Sequence, residues 1–201
     1  MTSATRRLAL GLALGLSTIA APAVTQRALA QTAQAPAAPT PLRNDNITLE
    51  EVLGMQRTWG EALVRIAAAH REGGPERGRA VAGQVLDGAY GYAAGPVLFK
   101  PTLTAAPQTF RTTRDGALAY FAGGNPAFPN DDGFAFNGWT RVEVQNAAIF
   151  IHGRVAMTQG NVRLTDGQGR VTTVDKSWGF HRDDAGVIRI VLHHSSLPHT
   201  R

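Results

Sequence analysis

The first strong pattern in the chain is a stripe. Thr48 and Glu51 form an S/T-x-x-E capping box, and Val52, Met55, Trp59, Leu63, Ile66 and His70 follow at three- and four-residue spacing. That spacing puts one apolar face on a helix, which Gly73-Gly74 ends. Pro75, favoured in the first helical turn, opens a second helix whose buried side carries Val81, Val85, Leu86, Ala89 and Tyr90. Residues 91–95 break it. Val97-Leu98-Phe99 then reads as a short strand running into Lys100-Pro101-Thr102, and residues 114–122 as a shorter helix stopped by Gly123-Gly124.

After the Pro/Asn/Asp loop at 125–133 the period changes from helical to alternating. Residues 136–144, 147–164, 169–181 and 187–196 are strand-like, separated by Gln145-Asn146, by Asp166-Gly167-Gln168-Gly169 and by Asp183-Asp184-Ala185-Gly186. Short polar breaks between such runs predict antiparallel hairpins. Helices followed by a strand meander predict an α+β domain, with a curved antiparallel sheet wrapped round a long N-terminal helix.

The last of these strands is the most informative. Its apolar first half runs without a break into His193-His194-Ser195-Ser196 and stops at Pro198. Strand side chains alternate between faces, so His193 and Ser195 share one face and His194 and Ser196 the other. Four polar groups at the end of an apolar strand are costly to bury without a purpose, although a solvated strand end would need none. An imidazole and a hydroxyl two residues apart can meet one small polar molecule. A β-bulge would exchange the pair for His194 and Ser196.

Composition narrows the setting. Arg6 and Arg7 precede an apolar stretch, residues 8–24, and Ala28-Leu29-Ala30 has the small-residue pattern of a cleavage site. Residues 1–30 therefore read as a cleaved signal peptide and 31–45 as an Ala/Pro-rich linker, leaving a domain at 46–201 that is periplasmic or secreted, with no membrane segment after cleavage. Cleavage removes Arg6, Arg7 and Arg27 and no acid, lowering the formal charge from +5 to +2. The basic balance is thus no argument for a nucleic-acid partner. The absence of cysteine excludes thiol chemistry and Cys-based zinc sites.

Other candidate groups each have a structural alternative. Tyr120 fits a helix core and Thr102 a local turn; His70, His152 and His181 fit structural roles, and Trp139 and Trp178 fit the inner sheet face or a pocket wall. A catalytic zinc needs three protein ligands, which His193 and His194, pointing opposite ways, do not begin to supply.

Four stretches together carry a family likeness: Trp59-Gly60 in the first helix, Gly95-Pro-Val-Leu-Phe-Lys-Pro-Thr102, Gly116-Ala-Leu-Ala-Tyr-Phe121, and Ser177-Trp-Gly-Phe180 with the closing Leu192-His-His-Ser-Ser-Leu-Pro198. In these the chain resembles the iota-class carbonic anhydrases over about residues 46–199. Residues 166–170 and the last strand also resemble the association domain of calcium/calmodulin-dependent kinase II. The likeness implies an NTF2-like (SnoaL-like) cone and the reversible hydration of carbon dioxide to bicarbonate. It implies a site of Thr102, Tyr120, His193 and Ser195, with His193 accepting or relaying the proton, and no cofactor, with zinc or manganese as the alternative. It also implies a homodimer. Two other functions fit the same fold: an isomerase or cyclase acting on a small apolar ligand, which would need an acid such as Asp115, Glu143 or Asp175 in the cup, and a non-catalytic association module.

Overall fold

A computed structural model of the chain describes residues 44–200. The expected signal peptide and nearly all of the expected linker lie outside the described residues. Helix α1 (Leu49–Ala89) starts at a closed capping box: the Thr48 hydroxyl accepts the Glu51 amide at 3.2 Å, and the Glu51 carboxylate accepts the Thr48 amide at 2.9 Å. Non-helical backbone at Gly73 and Gly74 divides α1 into the two expected segments, with Pro75 at the head of the second. Gly74 has a φ of 73°, a conformation that glycine adopts without a Cβ penalty.

Strand β1 (Leu98–Lys100), helix α2 (Arg114–Ala122) and a 3₁₀ turn at Phe134–Phe136 precede four longer strands, β2 (Trp139–His152), β3 (Val155–Asp166), β4 (Val171–Arg182) and β5 (Ile188–Ser196). The sheet order is β1-β5-β4-β3-β2. The last four strands form the expected antiparallel meander, and β1 pairs parallel to β5, aligning Phe99 with His193. One face of the sheet receives α1: Val52, Trp59, Leu63 and Ile66 pack with Val162, Leu164, Val174, Trp178, Phe180 and Ile190 in a single core. Each large side chain buried there contributes about 1.5–3 kcal/mol, against about 1 kcal/mol for a helix cap. Packing, more than capping, fixes α1 across the sheet.

One expected turn is not a turn. Gln145-Asn146 lies inside β2, and the hairpin instead closes at Gly153, which has a φ of 57°. The polar pair marks a β-bulge, seen as a register shift between Asn146 and Ala148. Inward-facing positions change there from Val142 and Val144 to Ile149 and Ile151. Gly160 opposite makes room for the bulge, since a Cβ there would come within 2.1 Å of the Gln145 carbonyl oxygen. Asn146 is held by reciprocal amide hydrogen bonds to Gln56 of α1, at 2.9 and 2.8 Å.

Candidate active site

A second bulge positions the end of β5. Ile188 and Ile190 face the core, and unbroken alternation would turn Leu192, His194 and Ser196 inward after them. The ladder from β4 pairs Gly179 with Leu192 but Phe180 with Ile190, so Val191 is the extra residue. The phase flips across it. His193 and Ser195 are each 2% exposed, while His194 is exposed and Ser196 half-buried on the outer face. The bulge therefore acts opposite to the sequence expectation, turning His193 and Ser195 inward. Gly179 permits it by close approach, its absent Cβ lying 2.9 Å from that of Leu192.

Residues distant in sequence meet at this inward end. The Thr102 hydroxyl donates to Ser195 Oγ at 2.5 Å. The Tyr120 phenol is within hydrogen-bonding reach of the Thr102 hydroxyl and of the Thr102 and Leu103 backbone, and burial pushes its pKa above the usual phenol value. The loop leading from Thr102 to α2 is tied down by Arg111, buried with Asp131 in a two-pronged ion pair at 2.7 Å on each prong. Trp59, Phe121 and Phe134, with Val162, Leu164 and Val174, complete an apolar wall. The space enclosed, about 10 Å³ open to the centre of a water molecule, is about what one water needs.

His193 joins this cluster with both ring nitrogens engaged. Tyr90 Oη lies 2.8 Å from Nδ1 and itself accepts the Trp59 indole N–H at 2.9 Å. Nε2 contacts Lys176 Nζ. The imidazole is packed against Phe99, with ring centroids 4.2 Å apart. Burial, followed by the charges of Lys176 and His194, holds its pKa well below the ordinary imidazole value.

Lys176 and Tyr90 are functional candidates that the sequence reading did not single out. Lys176 is 4% exposed, pairs directly with Ser195 across the β4–β5 ladder and lines the same cavity. Its Nζ stands 4.5 Å from the Trp59 ring and 5.1 Å from the Trp178 ring. Burial alone holds its pKa well below the ordinary lysine value. Attraction of an ammonium to the indole faces is worth up to about 2 kcal/mol, whereas desolvating an ion costs several, so the neutral amine is favoured. A signal was present: Val174-x-Lys176-x-Trp178 puts the lysine between two core residues on one strand face.

The remaining expectations divide cleanly. His70 stacks on Phe136, His152 is exposed, and His181 is half-buried elsewhere. Trp178 stands beside Lys176, whereas Trp139 packs on Phe134 and donates its indole N–H to the Phe134 carbonyl. Asp115 and Asp175 are exposed, Glu143 is half-buried, and the residues lining the cavity include no carboxylate. Among the described residues no group of three or more His, Asp or Glu side chains could hold a metal ion.

Residues 50–197 match the family model described as metal-independent carbonic anhydrase. A metal-independent carbonic anhydrase of Nostoc sp. (strain PCC 7120 / SAG 25.82 / UTEX 2576) is 58% identical over 160 residues, covering 80% of this chain and 78% of that protein. Among solved structures, the cyanobacterial iota-carbonic anhydrase complexed with bicarbonate superposes with a TM-score of 0.79 at 56% identity, over 82% of this chain and 100% of that one. An NTF2-like superfamily protein of Salmonella enterica serovar Typhimurium aligns over 74% of this chain and 94% of that one, at 13% identity and a TM-score of 0.39.

Proposed function

The chain belongs to the metal-independent carbonic anhydrase family, and we propose that its α+β fold is of the NTF2-like kind and that its hydration of carbon dioxide takes place in the cavity bounded by Thr102, Tyr120 and Ser195. The observation that carries this reading is the convergence of three hydroxyl groups from separate parts of the chain on one closed, apolar-walled hollow of about water size. The relative crystallised with bicarbonate supports bicarbonate as what that hollow accepts.

Without a metal, water is not ionised in advance; its pKa stays near 15.7 in bulk, and the proton must leave as the C–O bond forms. The hydroxyls orient the attacking water and donate to the carbon dioxide oxygens as charge grows on them. Bicarbonate is larger than the space between the side chains, so product binding opens the Thr102–Ser195 contact. The apolar wall suits a nonpolar gas, and the lack of a carboxylate in the lining disfavours an isomerase-type proton abstraction. His193, held at both nitrogens, positions the network and offers water no free lone pair.

Single substitutions Thr102→Ala, Tyr120→Phe and Ser195→Ala should each lower the hydration rate by about 10²-fold, the usual effect of losing one oxyanion donor. Stopped-flow hydration with a pH indicator measures this, and wild-type rates in all three variants would reject the site. His194→Ala and Ser196→Ala serve as outer-face comparisons. Two further readings belong to this proposal. Self-association through the outer sheet face is supported by Phe150 and Met157, 57% and 48% exposed; sedimentation of Phe150→Glu against wild type tests it. Export is supported by the pattern of residues 1–30, and the N-terminal residue of the protein recovered from cells tests it.

A further inference from the structure

Hydration releases a proton from the attacking water, and the hydrogen bonds around His193 point to the group that takes it. Tyr90 Oη accepts the Trp59 indole N–H, so its own proton has one buried acceptor at hand, His193 Nδ1 at 2.8 Å. A neutral His193 then carries its proton on Nε2, directed at Lys176 Nζ, which must present a lone pair. The reverse arrangement, an ammonium donating to Nε2, would make Tyr90 accept two bonds. Its own proton would then be stranded among Phe99, Phe121 and Tyr92.

The surroundings agree. Lys176 faces His193 and Ser195 from β5, Trp59 from α1, Trp178 of its own strand, and Thr102 and Tyr120 across the cavity. Asp131, the carboxylate that acts on Tyr120, is already paired with Arg111. The chain has 20 basic residues and only two are lysines, Lys100 and Lys176; every other cation is an arginine, which stays protonated. Lys100 Nζ donates to the Ser195 carbonyl at 3.2 Å, so both lysines converge on the same stretch of β5.

We infer that Lys176 rests as a neutral amine and is the base that takes the proton from the attacking water. The inference rests on the site proposed above. The Nζ lone pair turns from the His193 Nε2–H to the water; as the water oxygen bonds to the carbon of carbon dioxide, its O–H bond breaks and the proton joins that lone pair. One C=O π pair becomes the bicarbonate negative charge, facing the new ammonium. After bicarbonate leaves, Nζ passes the proton to a buffer base, and His193 and Tyr90 restore the amine's orientation.

Because the protein has two lysines, ¹³Cε/¹⁵Nζ-lysine labelling gives two side-chain NMR signals, assigned with Lys100→Arg. The Lys176 signal of the wild type should be that of an amine at pH 8 and move to the ammonium form on adding bicarbonate. An ammonium at rest up to pH 9.5 would overturn the inference without any need for a Lys176 variant to fold. So would a new carbonyl signal coupled to Nζ under ¹³C-labelled carbon dioxide, which would mean the lone pair attacks carbon. In stopped flow, Lys176→Met and Lys176→Arg should both lose about 10²-fold or more in hydration rate, the usual yield of a general base. The fall in wild-type rate toward low pH should vanish with them. Activity retained in Lys176→Arg would mean a fixed cation is what matters. If the Lys176 variants keep wild-type rates and pH profiles while Ser195→Ala and Tyr120→Phe lose activity, the inference fails and the site stands. Full activity in the hydroxyl variants would instead remove the site itself.

Discussion

Replacing Tyr90 by Phe removes one oxygen atom and tests the network that orders the site. That oxygen accepts from Trp59 Nε1 at 2.9 Å and bonds His193 Nδ1 at 2.8 Å, in a place where Tyr90 is only 2% exposed. Each of the two groups left behind is buried and loses its partner, at about 1–3 kcal/mol apiece. The variant no longer has to desolvate its own hydroxyl, which returns part of this, so the expected net loss is about 2–4 kcal/mol. At 2–4 °C per kcal/mol for a domain of this size, the melting midpoint should fall by roughly 4–16 °C. Denaturant titration is the assay: the midpoint should drop with an unchanged m-value. A double-mutant cycle with Trp59→Phe isolates the shared bond and should give a coupling of at least about 0.5 kcal/mol. A loss below about 0.5 kcal/mol with an additive cycle would refute the reasoning.

Three other outcomes follow from the same structure. Gly179→Ala forces a Cβ within 2.9 Å of Leu192 at the β5 bulge, so denaturation should show a loss of about 1–3 kcal/mol, and hydration activity should fall as His193 and Ser195 shift. Asp131→Asn leaves the Arg111 guanidinium buried without its counter-charge and should cost about 3–5 kcal/mol by the same titration. Stability should also depend on pH in a definite direction. Lys176 has a depressed folded pKa, so below 10.5 the unfolded chain holds the extra proton, and stability rises with pH from the folded value up to 10.5. The slope is about 1.4 kcal/mol per pH unit. Above pH 10 the raised pKa values of Tyr90, Tyr92 and Tyr120 act the other way, since the folded state keeps protons the unfolded chain has lost. Unfolding free energy between pH 8 and 9.5 should therefore climb in the wild type and lose that component in Lys176→Met.

The parts of the fold readable from sequence are those with unbroken local periodicity. The Trp59 stripe, the Gly73-Gly74 break and the order of strands all carry their cause within a few neighbouring residues. The bulges do not. Gln145-Asn146 has the composition of a turn, yet its role depends on Gly160 and Gln56, far along the chain. The true turn at Gly153 is flanked by His152 and Arg154, which give little turn signal. At the site, the family resemblance implies Thr102, Tyr120, His193 and Ser195, and all four line one cavity. Tyr90 was visible only as a buried helix position, because its hydrogen-bond partner His193 lies 103 residues away. Lys176 sits between Asp175 and Ser177 and has the look of a solvated strand until the alternation with Val174 and Trp178 is followed across them.

The most direct test is a crystal of the protein soaked in bicarbonate. The ion should lie in the inner cavity, accepting from the Thr102, Tyr120 and Ser195 hydroxyls with Lys176 Nζ within reach. Bicarbonate bound instead on the outer face beside His194 and Ser196, with none among the three hydroxyls, would contradict the account.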